Sequence, residues 1–391
     1  MTKRTADTSI ILWGDRHLPG HMIMDQARAM EASGVVDWAS FPDHMVNFIP
    51  PSLWTPENTP MATVLGDPDS LQDATIMGTL THVAAPKLKL SFASDSVRKG
   101  PAELCQLMWS MASVTEGRAR FQFGPGEVKQ CKPYGHNRAQ GLARLEDLLK
   151  ISKALWESDG PIDHVGNHWE MKQAYLGGAK PYRPEIWTMG SGPKQVDLTT
   201  TYCDGISASA PIVWTDAAHA RTEIEKIKQM LVEKGRDPDA FGFGAFCTVI
   251  AHEDAELVNR ALDNPIIRWL SAIVGRVNPA EWRKEGIEPA TPEGWAYFMK
   301  FLPYETSPEF VQEVIAKTTR KMAEKSYFYG NSAQVAAQLQ EYVDAGVTWI
   351  CIVDYTAMVL EPADAAMSLG RMIDICARLK GTTATAAATT T

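Results

Sequence analysis

Short, almost uniformly apolar runs alternate along this chain with longer stretches in which apolar residues recur at i, i+3 and i+4. The runs are SIILWG (9–14), VVDWASF (35–41), LKLSFAS (88–94), RARFQFG (118–124), EIWTMG (185–190), GISAS (205–209), FGAFCTVIA (243–251) and VTWICIVDY (347–355). A strand with one wet face alternates apolar and polar residues, whereas these predict parallel strands covered on both sides. The intervening stretches LARLEDLLKISKALW (142–156) and AQVAAQLQEYVDAG (333–346) keep a helical period. Asn331-Ser332 supplies a start for the second and Gly346 a stop. Eight such units predict an α/β fold, a closed (β/α)8 TIM barrel spanning 1–380 as one domain; an open doubly wound sheet is the alternative.

Two segments break the alternation. Residues 45–71 are rich in Pro, Asn and Thr without a period of their own, and residues 262–328 carry short aromatic helical pieces between prolines. Loops of this length commonly serve as binding lids. The tail 381–391, GTTATAAATTT, has the composition of a disordered segment.

Charge and composition narrow the function class. A net charge of -9 with no basic cluster argues against nucleic acid and anionic membrane surfaces as partners. No apolar run reaches the roughly 18 residues that span a bilayer, and the N-terminus lacks a signal-peptide core, so a cytoplasmic protein is expected. The six cysteines are scattered and form no CxxC pair, and the nine histidines form no ligand-like cluster. Neither a disulfide framework nor a metal site is expected.

In a barrel the chemistry sits at the C-terminal strand ends. Those ends read Trp13-Gly14-Asp15, Asp43-His44, Ser94-Asp95-Ser96, Gly124-Pro125-Gly126-Glu127, Gly190-Ser191-Gly192-Pro193 and Asp354-Tyr355. Carboxylates, one histidine and Gly-rich turns suit a phosphorylated or polyhydroxylated cofactor. A glycine turn before a helix, as in GSGPKQVDLTT, is either an anion site or a tight βα turn. Gly124-Pro125-Gly126 either lets the backbone pack closely or lets a flat ring lie against it. Asp43-His44 is either a solvated turn or an imidazole placed for proton transfer, with a carboxylate beside it to set its state.

Taken in order, SFPDH (40–44), TEGRARFQFGPGE (115–127) with PYG (133–135), RLEDLLKISKALW (144–156), PEIWTMGSGP (184–193), CDGI (203–206) and AQVAAQLQEYVDAGVTWICIV (333–353) resemble the luciferase-like flavin and deazaflavin oxidoreductases. The resemblance covers nearly the whole chain. It is nearest to the branch using coenzyme F420, which holds methylene-tetrahydromethanopterin reductases, sugar-6-phosphate dehydrogenases and phthiodiolone ketoreductase, and nearest of all to the ketoreductase-like members.

The resemblance implies two catalytic residues: His44, the proton donor and acceptor, and Glu127, the acid near the deazaflavin ring that assists protonation at its pyrimidine side. It implies cofactor contacts from Asp43, Ala93, Ser94, Asp95, Gly124, Gly126 and the turn Gly190, Ser191, Gly192, Pro193, with a non-prolyl cis peptide at Ala93-Ser94. Phe48 falls where the sugar-phosphate dehydrogenases carry a tryptophan. Trp13, Phe48 and Trp214 are expected to wall an apolar substrate pocket. The stretch after strand six, ASAPIVWTDAA (208–218), lacks the basic residue that grips a substrate phosphate in those dehydrogenases. A carbonyl or enone-type substrate is therefore favoured. The expected activity is hydride transfer with F420, in a homodimer or higher homo-oligomer. The alternatives are an FMN-dependent monooxygenase, an F420-dependent alcohol or sugar-phosphate dehydrogenase, and a non-catalytic cofactor-binding protein on the same barrel.

Overall fold

The structure is a computed structural model that describes residues 4–382. Eight parallel strands follow one another as β1 (Asp7–Ile11), β2 (Trp38–Pro42), β3 (Lys89–Asp95), β4 (Ala119–Gly124), β5 (Glu185–Met189), β6 (Gly205–Ala210), β7 (Gly242–Ala251) and β8 (Trp349–Asp354). Each pairs with its sequence neighbour, except that β7 and β8 are separated in the chain by an insertion, and β8 returns to β1 through Asp7–Trp349 and Ser9–Cys351. The sheet therefore closes, as the apolar pattern predicts, and the open-sheet alternative falls. Strand ends differ from the sequence reading by up to three residues.

The helices of the outer ring are α1 (Gly20–Ser33), α2 (Ala74–Ala84), α3 (Pro101–Val114), α4 (Gly141–Glu157), α5 (Pro193–Tyr202), α6 (Ala217–Glu233), α7 (Ser332–Ala345) and α8 (Ser368–Leu379). Asn331 starts α7 through a capping box with Gln334, and Gly346 ends it in the left-handed conformation.

Strand parity divides the apolar residues between two clusters. Ile10, Phe41, Phe92, Phe121, Ile206 and Ile350 join the ring helices in one, while their odd-phase neighbours Ile11, Trp38, Trp187 and Trp349 join the insertion in the other. The second set fills the barrel interior. At the N-terminal end of the strands Arg120 lies 3.9 Å from the Trp38 ring and 3.7 Å from the Trp187 ring, and pairs with Glu185 at 2.8 Å. Room for Trp187 comes from β6 and β7, where a Cβ at Gly205 or Gly242 would run into its ring. Above that plug a polar layer links Ser91, Gln122 and Ser207, with Gln122 donating to Ser91 at 2.8 Å and accepting from Ser207 at 2.6 Å.

Two departures from the sequence reading lie outside the barrel. An antiparallel hairpin, Ile162–Val165 with Glu170–Ala174, follows α4, and a short strand Phe328–Gly330 adds to β7. The disordered tail expected at 381–391 falls, apart from Gly381 and Thr382, outside the described residues. Among the described residues no helix is long and apolar enough to cross a membrane, and all six cysteines are free and buried.

The two insertions meet over the C-terminal mouth of the barrel. Trp269 Nε1 donates to the Phe48 carbonyl at 2.9 Å, Asn264 Nδ2 to the Asn58 carbonyl at 2.7 Å, and Tyr304 Oη to Asp69 at 2.7 Å. Fully buried Trp269, Trp282 and Phe301 give the second insertion its own apolar centre.

Candidate functional site at the barrel mouth

His44 leaves β2 at the mouth and is half-buried between two aromatic edges. Its ring centroid lies 5.2 Å from Trp13 and 5.6 Å from Phe48, both in edge-on contact. Phe48 in turn meets Tyr297 of the second insertion at 5.7 Å. His44 Nδ1 and Trp13 Nε1 are buried without a hydrogen-bond partner. Burial pushes the imidazole well below its ordinary value of 6.5, and the charges of Lys129, Arg16 and Arg98 push the same way.

Asp43 does not set the state of His44. Its carboxylate accepts from Ser94 Oγ at 2.9 Å, Arg98 at 3.3 Å and Lys99 at 3.2 Å. Asp95 is likewise committed, to the amides of Val97 and Arg98 at 2.8 and 3.0 Å and to the Arg98 guanidinium. Asp354 accepts from the Thr356 amide at 2.9 Å and from Ser368 Oγ, so it caps the turn after β8. Asp95 and Asp354 build turns, as an Asx side chain facing an amide two or three residues on does.

Gly126 has φ +82°, a backbone conformation that favours glycine, and it turns the chain so that Glu127 follows. The start of α4 packs on the same turn, for a Cβ at Gly141 would collide with the Pro125 carbonyl. Glu127 forms an ion pair with Lys129 at 2.9 Å. The Glu127 charge acts on the buried phenols of Tyr297 and Tyr355. Burial pushes both phenols upward, and the charge of Glu127 adds to the shift.

The sequence reading missed the cations. Arg16 from the β1 end, Arg98 from the β3 end and Lys129 from the β4 end all donate to backbone carbonyls of the His44 turn. Arg98 donates to the Asp43 carbonyl at 2.7 Å, Arg16 to the His44 carbonyl, and Lys129 to the Val46 carbonyl at 2.9 Å. Gln130 completes the grip, accepting from the Met45 amide at 2.8 Å and donating to the Val46 carbonyl at 2.6 Å. Arg16 and Lys129 are each 1 % exposed, which no local pattern in the sequence signals.

Three other expectations are corrected or refined. The Ala93-Ser94 bond is not cis; among the described residues the cis bond is Ala210-Pro211. Trp214 is not part of the wall with Trp13 and Phe48. It lies 2 % exposed in the cluster between barrel and ring helices, and its carbonyl accepts from Tyr342 Oη at 2.9 Å. A cation does reach the loop after β6, since Arg276 donates to the Pro211 carbonyl at 3.2 Å. Its guanidinium already pairs with Glu285 and lies 4.0 Å from the Trp282 ring, so it is not free to grip a phosphate.

Gly190, Ser191, Gly192 and Pro193 form the exposed N-terminal turn of α5. Gly190 has φ +135°, and no side chain caps the helix. The first amides of such a helix are open to an anion. A cofactor with a flat ring and a phosphate fits this mouth. Ala93 and Gly124 keep strand ends β3 and β4 small, His44 Nδ1 and Trp13 Nε1 are unmatched, and α5 offers uncapped amides.

Comparison with known proteins agrees with this architecture. Residues 19–348 match the luciferase-like monooxygenase family. The phthiodiolone/phenolphthiodiolone dimycocerosates ketoreductase of Mycobacterium kansasii is 26% identical over 318 residues, covering 80% of this chain and 85% of its own length. Among solved structures, an F420-dependent secondary alcohol dehydrogenase in complex with an F420-acetone adduct superposes with a TM-score of 0.68 at 16% identity, over 95% of this chain and 98% of its own. A riboflavin lyase solved with modified FMN gives a TM-score of 0.66 at 16% identity, over 99% and 94%. At these identities the structures show a shared fold.

Proposed function

This chain belongs to the luciferase-like monooxygenase family, and we propose that it is an oxidoreductase that uses coenzyme F420 to reduce a carbonyl or enone-type substrate. The carrying observation is His44, an imidazole with an unmatched Nδ1, set in an aromatic wall at the barrel mouth. A ketoreductase among the relatives and an F420-dependent dehydrogenase among the structural neighbours support the cofactor and the reaction class.

In this reading the cofactor, when bound, supplies or accepts a hydride at its ring carbon, and the protein manages position and protons. The uncapped amides of α5 hold a phosphate, and Gly124 and Ala93 leave space for a ring. Trp13, Phe48 and Tyr297 exclude water and favour an apolar substrate. His44 hydrogen-bonds the substrate oxygen and exchanges a proton with it, burial and the three neighbouring cations keeping the free ring neutral. Glu127, paired with Lys129, carries the polar side of the pocket. The commitment of Arg276 to Glu285 supports a substrate without a phosphate.

The test is anaerobic turnover. Reduced F420 mixed with ketones, aldehydes and enones is expected to be reoxidised only with both enzyme and substrate present. His44→Ala is expected to lower that rate by about 10²-fold or more. The neighbour carrying FMN favours one second reading, an FMN-dependent monooxygenase. Oxygen uptake with reduced FMN, and no turnover with reduced F420, would replace the first reading with the second.

A further inference from the structure

We propose that Lys129 is a positioning residue for this site, its buried ammonium tying the His44 turn to Glu127 and setting the field in which His44 exchanges its proton. The inference rests on the proton-transfer role of His44 and goes beyond it, because it assigns the control of that role to another strand. Lys129 Nζ makes three contacts at once. It lies 2.9 Å from Glu127, 2.9 Å from the Val46 carbonyl and 3.7 Å from the centroid of the Phe48 ring. The same ring meets His44 edge-on. One side chain therefore touches the backbone two residues after His44, the aromatic wall, and the carboxylate on the neighbouring side of the mouth.

A lysine stem needs no such site for packing. Burying an ammonium costs several kcal/mol unless it is paired and hydrogen-bonded, and leucine or methionine would fill the same volume without that cost. Retention of charge here is explained by what the charge does to its neighbours.

The groups facing His44 are few. Lys129, Arg16 and Arg98 are the cations, and all three act to keep the imidazole uncharged. Trp13 and Phe48 contribute ring edges. The carboxylates of the same loops are paired with these cations, Glu127 with Lys129 and Asp43 with Arg98 and Lys99. Removing the Lys129 charge subtracts one repulsive neighbour, so the imidazole becomes easier to protonate. The Arg16 and Arg98 bonds to the Asp43 and His44 carbonyls hold the turn in place while this happens.

The experiment is a proton NMR titration of the histidine rings in the full, cofactor-free chain, with His44→Gln identifying the His44 signal. Lys129→Gln keeps a donor for the Val46 carbonyl and removes the charge; Lys129→Arg keeps the charge. The wild-type ring is expected to titrate below its ordinary value. The Lys129→Gln midpoint is expected to rise by about one pH unit, and the Lys129→Arg midpoint to stay within about 0.3 units of wild type. An unmoved midpoint in Lys129→Gln would overturn the proposal. So would loss of the native fold in both variants, because the residue would then hold the fold and not the site. Since no cofactor is present, failure of F420 to bind leaves this result standing, and an unmoved midpoint leaves the cofactor reading standing.

Discussion

Two buried cations flank strand β4, Arg120 near its start and Lys129 in the short helix Val128–Cys131 that follows it, and the two are used differently. Arg120 at the N-terminal end is clasped between Trp38 and Trp187 and paired with Glu185. Lys129, just beyond the C-terminal end, is paired with Glu127 and lies over Phe48. Both are cations against aromatic faces, and unmatched polar atoms occur at both ends. At the bottom they are Arg120 Nη1, Trp187 Nε1 and Trp349 Nε1; at the mouth they include His44 Nδ1. The number of unmatched atoms does not separate structure from chemistry. The kind does. A guanidinium and two indoles keep their protons at any physiological pH, whereas an imidazole nitrogen can gain or lose one.

Substitutions at the two ends should therefore fail in different assays. The largest effect is expected at the mouth, where His44→Gln should lower turnover by about 10²- to 10⁴-fold while leaving F420 affinity within a few-fold, measured by steady-state kinetics and equilibrium titration. Arg120→Met should do the reverse. It empties the space between two tryptophan faces and should cost about 2–4 kcal/mol in urea unfolding, with turnover of the folded fraction preserved.

A third expectation concerns pH. His44 is held neutral in the folded chain, while in the unfolded chain it takes a proton near 6.5. The stability this contributes is fully present above 6.5 and is lost as pH falls below it, by at most about 1.4 kcal/mol per pH unit and less where solvent reaches the ring. Unfolding curves of His44→Gln and wild type should converge as pH is lowered from 7 toward 5. A gap that stays constant would place the ring's ordinary titration in the folded state as well.

Two smaller effects sharpen the contrast further. Tyr297→Phe keeps the ring against Phe48 and removes a hydroxyl on which the Glu127 charge acts, and should slow turnover by roughly 2- to 10-fold without a change in melting temperature. Tyr304→Phe removes an exposed link between the two insertions and should cost about 0.5 kcal/mol or less, seen as a slight destabilisation with unaltered kinetics.

Much of this contrast was legible in the sequence at one level and hidden at another. The eight strands could be read because both faces of each are buried, and their apolar character needs no partner to be recognised. His44 could be placed because a strand end locates it. The cations could not. Arg16, Arg98 and Lys129 stand in the stretches GDRH, SVRKG and GEVKQ, where charge next to glycine or acid reads as a solvated turn. Their burial is produced by loops from other strands, which is tertiary information. The roles of Asp95 and Asp354 are local, since an acid facing amides two or three residues on is an Asx turn, but an acid at a strand end has the same sequence signature whether it caps a turn or serves a site. The hairpin at 162–174 carries little apolar signal because its strands are short and none of their residues is buried, although Gly166-Asn167 marks its turn. Trp214 was assigned by its position after β6, whereas its burial against α7 follows from a partner 128 residues away.

The most direct measurement is an equilibrium titration of the purified chain with F420 and, separately, with FMN. Saturable binding of F420 with at least about tenfold weaker binding of FMN, unchanged in Arg120→Met once that variant is confirmed folded, is the expected result. Preference for FMN, or binding of neither, would contradict the account of the mouth as a deazaflavin site with His44 as its proton carrier.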